Sequence, residues 1–339
     1  MEKQKPLATV LMPVYNAEKY LKEAMDSVLS QSFEEYEFLI VNDCSKDNSE
    51  EIILSYTDAR IRYVKNQKNL GLSGALNVGI DLIETKYMIR MDADDISVPG
   101  RFEKLISFME KNSDVGVYSS ALERFEREVD IWKYPENNDD IKATFLFGSS
   151  IAHAPCILRM SVLKEHKMYF RDVHLHIEDY DLWYRLKDVT NFATTQEVLY
   201  RYRVVANSIT TGHDDTLMER RKKMYRWVIE SFGIVPTEEE LEMHISTQYN
   251  TKTTDSVDVK AYRKWMDKIV QVNEANGYFP KEALKRQVDK RWTRFFYLLP
   301  DRGFKIVISY FYYSGNIKWN QFLYWIKYLV NKNILRKKV

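Results

Sequence analysis

The chain places three aspartates within four positions, directly after a run of apolar residues. Residues 87–97 read YMIRMDADDIS, in which Asp92, Asp94 and Asp95 follow a segment that predicts a buried strand. Carboxylates this close together repel one another, and burial strengthens the repulsion because the effective dielectric constant falls. Any fold of this chain must therefore bring a compensating positive charge to the end of that strand.

Strand and helix patterns alternate over the first 120 residues. Short apolar runs rich in β-branched and aromatic residues are typical of buried parallel strands, and they lie at 9–14, 36–42, 61–66, 87–92 and 115–120. An amphipathic helix is predicted between the first two runs, over 17–29, with Asn16 as its N-cap. Repeated β-α units predict an α/β fold with a doubly wound, mostly parallel sheet flanked by helices.

Several function classes are excluded by what the sequence lacks. No GxGxxG motif follows the first strand and no P-loop occurs, which excludes the common dinucleotide and P-loop nucleotide sites. Two cysteines, Cys44 and Cys156, are too few for a disulfide framework. The N-terminus lacks a signal-peptide core, and no stretch approaches the roughly 18 apolar residues of a membrane span. We therefore expect a cytoplasmic protein.

Charge is distributed unevenly along the 339 residues. The whole chain has a formal net charge of +1, but residues 281–339 contain 14 Lys+Arg against 3 Asp+Glu. Such asymmetry indicates a tail that meets an anionic partner. We expect two regions, an α/β domain over 1–212 and a helical, aromatic and basic region over 213–339.

Polar side chains follow four of the predicted strands. Asn16, Asp43, Asn69 and the Asp92–Asp95 cluster each come at or soon after a strand end. In open α/β sheets, ligands bind beyond the carboxyl ends of the strands, so these side chains are expected at one edge. A hard divalent cation offsets the repulsion between carboxylates, and Mg²⁺ or Mn²⁺ often bridges them to a diphosphate.

Two other interpretations of the aspartates stay open at this point. Asp95 or Ser97 is suitably placed to cap a helix that begins near Pro99. An EF-hand loop counted from Asp92 would place Glu103 at its twelfth position, but its fifth and sixth positions do not carry the Asp or Asn and the Gly that the loop needs.

A family resemblance emerges from these motifs taken together. PVYN, VNDCSKDNS, NLGLSGALNVGI and MDADD occur in the order and spacing that resemble the nucleotide-sugar half of a family 2 inverting glycosyltransferase with the GT-A fold. HIEDYDLWYRL and YRYRVVANSIT resemble the acceptor-side Glu-Asp motif and the Tyr-Arg segment of that family. The resemblance covers about residues 7–210 and implies a divalent metal cofactor, Mn²⁺ or Mg²⁺.

The resemblance also implies roles for individual residues. It implies a nucleotide-sugar site that consists of Pro13, Tyr15, Asn16, Asp43, Asn69, Gly71, Asp92 and Asp94. Within this site Asp43 would bond the edge of the base. Asp92 would contact the ribose or the metal, and Asp94 would bind the metal on the donor diphosphate. Asp179 would be the general base that deprotonates the acceptor.

The setting of Asp179 agrees with that role. Glu178 and Asp181 are close in sequence, and burial among acidic groups raises a carboxyl pKa towards that of a useful base. Acidic residues also favour the N-terminal turn of a helix, and the two explanations are compatible. Asp181 is the next candidate for the base.

The sequence departs from the family pattern after the Tyr-Arg segment. Relatives often carry a histidine where this chain has Val205, and His213 is a nearby substitute. His153 and Arg159 match acceptor-side positions more loosely, and structural roles are the expectation for both.

The expected activity is transfer of a hexosyl or N-acetylhexosaminyl group from a nucleotide sugar to an acceptor hydroxyl with inversion. The resemblance favours a UDP-sugar, with GDP- and dTDP-sugars as alternatives, and a glycan or lipid-linked glycan acceptor in surface polysaccharide synthesis. The alternative function is a nucleotide-sugar-binding scaffold without turnover. The basic tail contains no recognised nucleic-acid module, so we expect no nucleic-acid partner.

The end of the chain predicts a helix with an apolar stripe. The stripe over 317–330 consists of Trp319, Phe322, Leu323, Ile326, Leu329 and Val330. Lysines and an arginine surround it, namely Lys318, Lys327, Lys332, Arg336, Lys337 and Lys338. Either the stripe packs on the rest of the protein, or 317–339 associates with an anionic membrane on its inner face, and both stay open.

Overall fold

The computed structural model describes residues 6–171, 177–205, 215–246, 258–315 and 318–331, with only the backbone described for 215–217 and 301. The chain divides into two compact units, Met1–Met224 and Tyr225–Val339. The first unit is an α/β unit and the second is helical. The predicted fold class, including the helical C-terminal region, is confirmed.

The first unit is organised around a nine-stranded sheet. Its strands are β1 (Ala8–Val14), β2 (Tyr36–Asn42), β3 (Ile61–Lys65), β4 (Tyr87–Arg90), β5 (Ile96–Ser97), β6 (Val115–Glu126), β7 (Asp130–Trp132), β8 (Ile157–Arg159) and β9 (Asn191–Val204). The order across the sheet is β3-β2-β1-β4-β8-β6-β9-β5, and β7 pairs with β6.

The first four strands form the parallel part of the sheet. β1 pairs with both β2 and β4, and β2 pairs with β3, all in parallel. Helices connect them and lead on to β6, namely α1 (Leu21–Leu29), α2 (Ser49–Leu54), α3 (Gly71–Leu82) and α4 (Arg101–Lys111). Helix α3 packs closely on β1, since a Cβ built on Gly79 would lie 2.3 Å from a methyl carbon of Leu11.

The rest of the sheet is mixed. β8 pairs antiparallel with both β4 and β6, β9 pairs parallel with β6, and β5 pairs antiparallel with β9. The sheet is therefore less uniformly parallel than the mostly parallel one expected, because three-residue β8 enters between β4 and β6. Around these strands lie α5 (Asn138–Thr144), α6 (Met160–Glu165) and α7 (Glu178–Leu186).

The second unit is built on aromatic packing between helices. Helix α8 (Asp215–Phe232) leads into it, and α9 (Glu238–Ser246), α10 (Val259–Asn276), α11 (Lys281–Phe296), a 3₁₀ helix (Pro300–Arg302), α12 (Phe304–Ser314) and α13 (Trp319–Leu329) follow. In its core Trp292 stacks on Tyr310, with ring centroids 4.6 Å apart, and on Tyr262 at 5.9 Å. Among the described residues, every helix is too short or too polar to cross a bilayer.

Candidate active site

The parallel strands bring the predicted site residues to one edge of the sheet. Val14 is aligned with Asn42 at the ends of β1 and β2, and Leu11 of β1 is aligned with Arg90 at the end of β4. Asn16 and the Asp92–Asp95 cluster therefore follow neighbouring strands at the same edge, as does Asp43. Because β4 ends before β1 does, the turn over Asp92–Asp95 (the aspartate turn) begins beside the last residues of β1.

Asp43 is a buried carboxylate that organises the loops around it. Its two oxygens accept the backbone N–H of Leu70 at 2.9 and 3.0 Å, and one also accepts the side-chain amide of Asn66 at 2.7 Å. Its own N–H donates to the carbonyl oxygen of Val14 at 2.8 Å. Asp43 thus ties the end of β2 to the loop that precedes α3.

The loop after β1 carries three of the predicted residues. Pro13 is buried in β1, and its nitrogen lies on the β4 side beyond the last paired residue, so the missing N–H removes no ladder bond. Tyr15 is 50% exposed. Asn16 has a φ of 50° and accepts the N–H of Lys46 at 2.8 Å through its side-chain oxygen.

The expectation that Asn16 caps the first helix is wrong. Helix α1 begins at Leu21, four residues later than expected, and its N-cap position is Tyr20. Asparagine tolerates a positive φ better than most residues, and this conformation turns its side chain towards the loop after β2 instead.

The turn into α3 holds the next two predicted residues. The side-chain oxygen of Asn69 accepts the N–H of Gly71 at 2.9 Å. Gly71 has a φ of 72°, and a Cβ built there would meet no atom within 4 Å. The glycine is therefore required by its backbone conformation, and the space beside it is open.

Two arginines and a tyrosine form hydrogen bonds to the aspartate turn. Arg90, buried at the end of β4, donates to a carboxylate oxygen of Asp92 at 2.5 Å. The N–H of Asp92 donates to the Tyr200 hydroxyl at 3.1 Å. Arg203 donates its side-chain Nε–H to the carbonyl oxygen of Asp94 at 2.6 Å and its backbone N–H to the Asp95 carboxylate at 2.7 Å.

Helix capping does not explain the aspartates. Helix α4 begins at Arg101, and the preceding Gly100 has a φ of 77°, so neither Asp95 nor Ser97 stands at its N-cap. Asp95 is instead buried against β9. The N–H of Ser97 donates to the hydroxyl of Ser27 at 3.0 Å.

Burial and mutual repulsion perturb the carboxyl groups of the turn. Burial, and after it the charge of Asp92, raise the pKa of Asp94 to about 6. Burial also raises the pKa of Asp95 well above its usual value, with added contributions from Asp94 and Asp92. The turn therefore holds more potential negative charge than Arg90 and Arg203 offset.

This donor set fits a divalent cation that brings further ligands of its own. Within the described ranges, no cluster of three or more His, Cys, Asp or Glu side chains could hold a metal alone. Asp92 and Asp94 supply hard oxygen donors of the kind that Mg²⁺ and Mn²⁺ take together with water and phosphate oxygens. A cation here would relieve the repulsion that raises the pKa of Asp94.

Asp179 lies in the first turn of α7, and burial raises its pKa to about 6. One carboxylate oxygen accepts the N–H of Tyr180 at 2.7 Å, and this bond and the charge of Arg90 partly offset the rise in pKa. Asp181 differs sharply, since it is fully buried and pairs with Arg171 and, at 2.8 Å, with Arg185. A carboxylate committed to two guanidinium groups is a poor general base.

The remaining candidates from the family pattern are Arg159, His153 and His213. Arg159 donates to the carbonyl oxygens of Val115 and Met109 at 3.1 and 3.0 Å, which fits a structural role. His153 packs against Phe170 and Trp183, and burial and Arg90 hold its pKa well below the usual value. His213 lies outside the described residues.

Sequence reasoning missed the buried basic residues and one tyrosine. Arg90 and Arg203 were read only as parts of motifs, although an arginine inside a predicted buried strand beside an acidic cluster was a usable signal. Tyr134 lies close enough to Asp179 for that carboxylate, after burial, to raise its pKa. No local pattern marks Tyr134, because this electrostatic interaction joins distant parts of the chain.

Comparison with known proteins identifies the family. The family model described as Glycosyl transferase family 2 matches residues 9–174. An uncharacterized glycosyltransferase of Haemophilus influenzae is 35% identical over 236 residues, which cover 65% of this chain and 72% of the relative. The putative glycosyltransferase EpsE of Bacillus subtilis is 31% identical over 209 residues, which cover 58% of this chain and 73% of EpsE.

Solved structures share the fold at low sequence identity. S. aureus TarS, in complex with UDP-GlcNAc, superposes with a TM-score of 0.57 at 15% identity over 92% of this chain and 93% of its own. The mannosyltransferase PcManGT of Pyrobaculum calidifontis, in complex with GDP-Man and Mn²⁺, superposes with a TM-score of 0.52 at 15% identity. The match covers 99% of this chain and 89% of PcManGT. With its fold, its strand-end acids and its relatives in agreement, the chain belongs to glycosyl transferase family 2.

Proposed function

We propose that the protein transfers a hexosyl or N-acetylhexosaminyl group from a nucleotide sugar to an acceptor hydroxyl, with inversion at the anomeric carbon. The observation that supports this best is the position of Arg90, whose buried guanidinium donates to the Asp92 carboxylate and whose charge lowers the pKa of both Asp94 and Asp179. One buried cation therefore acts on a donor-side acid and on the candidate base. A binding scaffold has no use for a carboxyl of raised pKa beside such a site.

Asp179 is proposed as the general base. A carboxyl with a pKa of about 6 is ionised at neutral pH, yet it is a stronger base than an ordinary aspartate. It would take the proton of the acceptor hydroxyl as the oxygen bonds to the anomeric carbon. The bond from that carbon to the phosphate oxygen breaks in the same displacement, and attack from the opposite side inverts the centre.

The donor side is proposed to consist of Pro13, Tyr15, Asn16, Asp43, Asn69, Gly71, Asp92 and Asp94. Asp43 fixes the loop before α3, and the open space beside Gly71 suits a nucleoside. Asp92 and Asp94 would hold a divalent metal, Mn²⁺ or Mg²⁺, which neutralises the charge of the departing diphosphate. A UDP-sugar is the proposed donor, in line with the motifs and with the UDP-GlcNAc bound to TarS, whereas PcManGT binds GDP-Man.

The proposed acceptor is a glycan or a lipid-linked glycan used in surface polysaccharide synthesis. The motifs that resemble the family's acceptor side support this class of acceptor. The reaction would take place in the cytoplasm, with the protein peripheral on the inner face of the membrane.

Donor binding is tested by thermal stabilisation with a panel of nucleotide sugars, with Mn²⁺ and with chelator. A bound donor raises the melting temperature, and we expect the largest rise for a UDP-sugar with Mn²⁺. Asp94→Ala should remove the difference between Mn²⁺ and chelator, whereas Asp289→Ala, an exposed site in the second unit, should keep it. Equal stabilisation with Mn²⁺ and chelator in the wild-type protein would contradict the metal role.

Turnover is tested by release of the nucleoside diphosphate from the best donor. Asp179→Asn should retain donor binding and reduce turnover by about 100-fold or more, the range expected for loss of a general base. Glu178→Gln, one residue away, should reduce it less. Near-normal turnover in Asp179→Asn would reject the proposed base, and absence of turnover in the wild-type protein with every donor would favour the scaffold.

A further inference from the structure

Helix α12 turns a row of large apolar side chains to solvent. Phe304, Ile308 and Tyr312 are 61%, 45% and 77% exposed. They are spaced four residues apart, so they lie along one face of the helix. The opposite face packs inside the second unit, where Val307 and Tyr310 are buried.

Helix α13 does the same on the face that the sequence marked as its apolar stripe. Trp319, Leu323, Ile326 and Val330 of that stripe are exposed, from 38% to 74%. The buried side of the helix consists of Gln321, Trp325 and Tyr328. Packing of the helix on its own unit therefore uses a different face and leaves most of the stripe uncovered.

The two exposed rows belong to one surface. Ring centroids of Phe304 and Trp325 are 5.0 Å apart, and those of Phe311 and Phe322 are 6.4 Å apart, so α12 and α13 lie side by side. On each helix the exposed row borders this contact and faces away from the buried side. The α12–α13 surface is defined here as Phe304, Ile308, Tyr312, Trp319, Leu323, Ile326 and Val330.

The charged residues of the segment that forms this surface have one sign. From residue 303 to residue 339 the sequence contains seven Lys and Arg and no Asp or Glu. Three of the seven lie on or beside the described helices, Lys305, Lys318 and Lys327, and all three are exposed. Lys332, Arg336, Lys337 and Lys338 lie outside the described residues.

We propose that the α12–α13 surface docks on an anionic lipid bilayer, with its apolar side chains at the level of the headgroups and acyl chains. Exposed apolar patches of this kind mark interaction sites, and aromatic residues mixed with cations suit the membrane–water interface. Self-association through the surface is disfavoured, because two copies face to face would bring like charges together. Docking is a property of the second unit and requires neither a donor nor sugar transfer.

Vesicle sedimentation of the full chain tests the proposal. At low salt the protein should pellet with phosphatidylcholine vesicles that contain phosphatidylglycerol, and much less with phosphatidylcholine alone. High salt should release it, because the surface charge is then screened. Protein that stays in the supernatant with anionic vesicles at low salt would overturn the proposal.

Two variants and their controls separate the apolar and the charged contributions. Ile308→Ser combined with Leu323→Ser should reduce binding at least tenfold, whereas Val129→Ser with Val235→Ser, also exposed, should leave it unchanged. Lys305→Gln, Lys318→Gln and Lys327→Gln together should weaken binding on the order of 100-fold, about fivefold for each lysine near the surface. The matched control is Lys264→Gln, Lys285→Gln and Lys290→Gln, which removes the same charge elsewhere in the unit.

The controls also decide against other partners. If both lysine triples weaken binding equally, only net charge matters and docking through the α12–α13 surface is rejected. Sedimentation velocity without lipid gives the second decision. Dimers that the Ile308→Ser, Leu323→Ser variant abolishes, in a protein that ignores vesicles, would make the surface a self-association interface instead.

Discussion

The two units of this protein differ in the charged and apolar side chains that they bury and expose. The first unit encloses charged groups, among them Arg90, Arg101, Asp95 and Arg203, close to the carboxyl edge of its sheet. The second unit encloses stacked aromatic rings and turns apolar side chains outward on α12 and α13. Burying a charge is unfavourable unless it is paired, and exposing a large apolar patch is unusual in a soluble protein. Each unit therefore departs from ordinary packing where we propose a ligand, a nucleotide sugar in one and a bilayer in the other.

The largest effect is expected from Arg203→Met. Arg203 is buried, donates to the Asp94 carbonyl oxygen and pairs with Glu126 and Glu23. The guanidinium is buried, although Glu23 and Glu126 are 57% and 39% exposed, so its loss should cost about 3–4 kcal/mol of unfolding free energy, in the lower part of the range for a buried pair. Donor binding that depends on Mn²⁺ should weaken as well, because the backbone at Asp94 loses its support. Denaturant unfolding and donor titration measure the two effects.

Arg201 provides the control for that prediction. It lies two residues away in β9 and contacts the same ring, Phe125, but its ion pair with Glu123 is solvent-accessible. Arg201→Met should therefore cost less than about 1 kcal/mol. Equal losses in the two variants would remove the distinction between buried and exposed charge on which the first unit's description depends.

A second pair of variants tests the helical unit. Trp325 is buried against Phe304 and Phe311, so Trp325→Ala should lower the unfolding free energy by about 3 kcal/mol. Trp319, six residues earlier in the same helix, is 74% exposed. Trp319→Ala should therefore change the unfolding free energy by less than about 0.5 kcal/mol. Denaturant unfolding followed by circular dichroism measures both. A large loss in Trp319→Ala would mean that the stripe is covered in solution.

The smallest effect is a gain in stability that depends on pH. Burial raises the pKa of Asp179 from 3.8 to about 6, so the native state favours the protonated form. Stability from this group is therefore lost as the pH rises from about 4 to about 6, and it stays lost above that range. Asp179→Asn should raise the unfolding free energy by about 2–3 kcal/mol at pH 8 and leave it unchanged below pH 3.8. Asp139→Asn, an exposed control, should show no such dependence.

The parallel half of the sheet was predictable because its signals are local. The second strand, Tyr36–Asn42, was predicted with its exact bounds, and the polar residues after β1, β2 and β4 were expected together at one edge. The position of β8 was not predictable, since three residues give no periodic signal and their pairing is set by distant strands. The buried face of α13 was missed for another reason. A helix that is aromatic around much of its circumference has no single face that the sequence singles out.

The acids of the candidate site were easier to predict from the sequence than its cations. Acidic clusters after apolar runs stand out in a sequence, whereas an arginine in a strand is normally assigned to the surface. Arg90 lies inside with acceptors that follow it directly in the chain, the Met91 carbonyl oxygen and the Asp92 carboxylate. Arg203 lies inside because it finds the Asp94 carbonyl oxygen, from a distant part of the chain. Whether the acids have the roles that we assign to them stays a prediction, which the variants of Asp94 and Asp179 test.

The irregular pairing of β6 with β9 has a consequence for the evolution of the family. The register shifts around Ala121, which faces Val198, before regular pairing resumes with Leu122 facing Tyr200. One residue inserted between Val198 and Arg203 would exchange the two faces of the strand and put Tyr202 where Arg203 now supports the aspartate turn. Relatives that keep the aspartate turn should therefore tolerate many substitutions between Val198 and Arg203 but hardly any change in the length of that segment. Their insertions and deletions should collect in the surface loops instead.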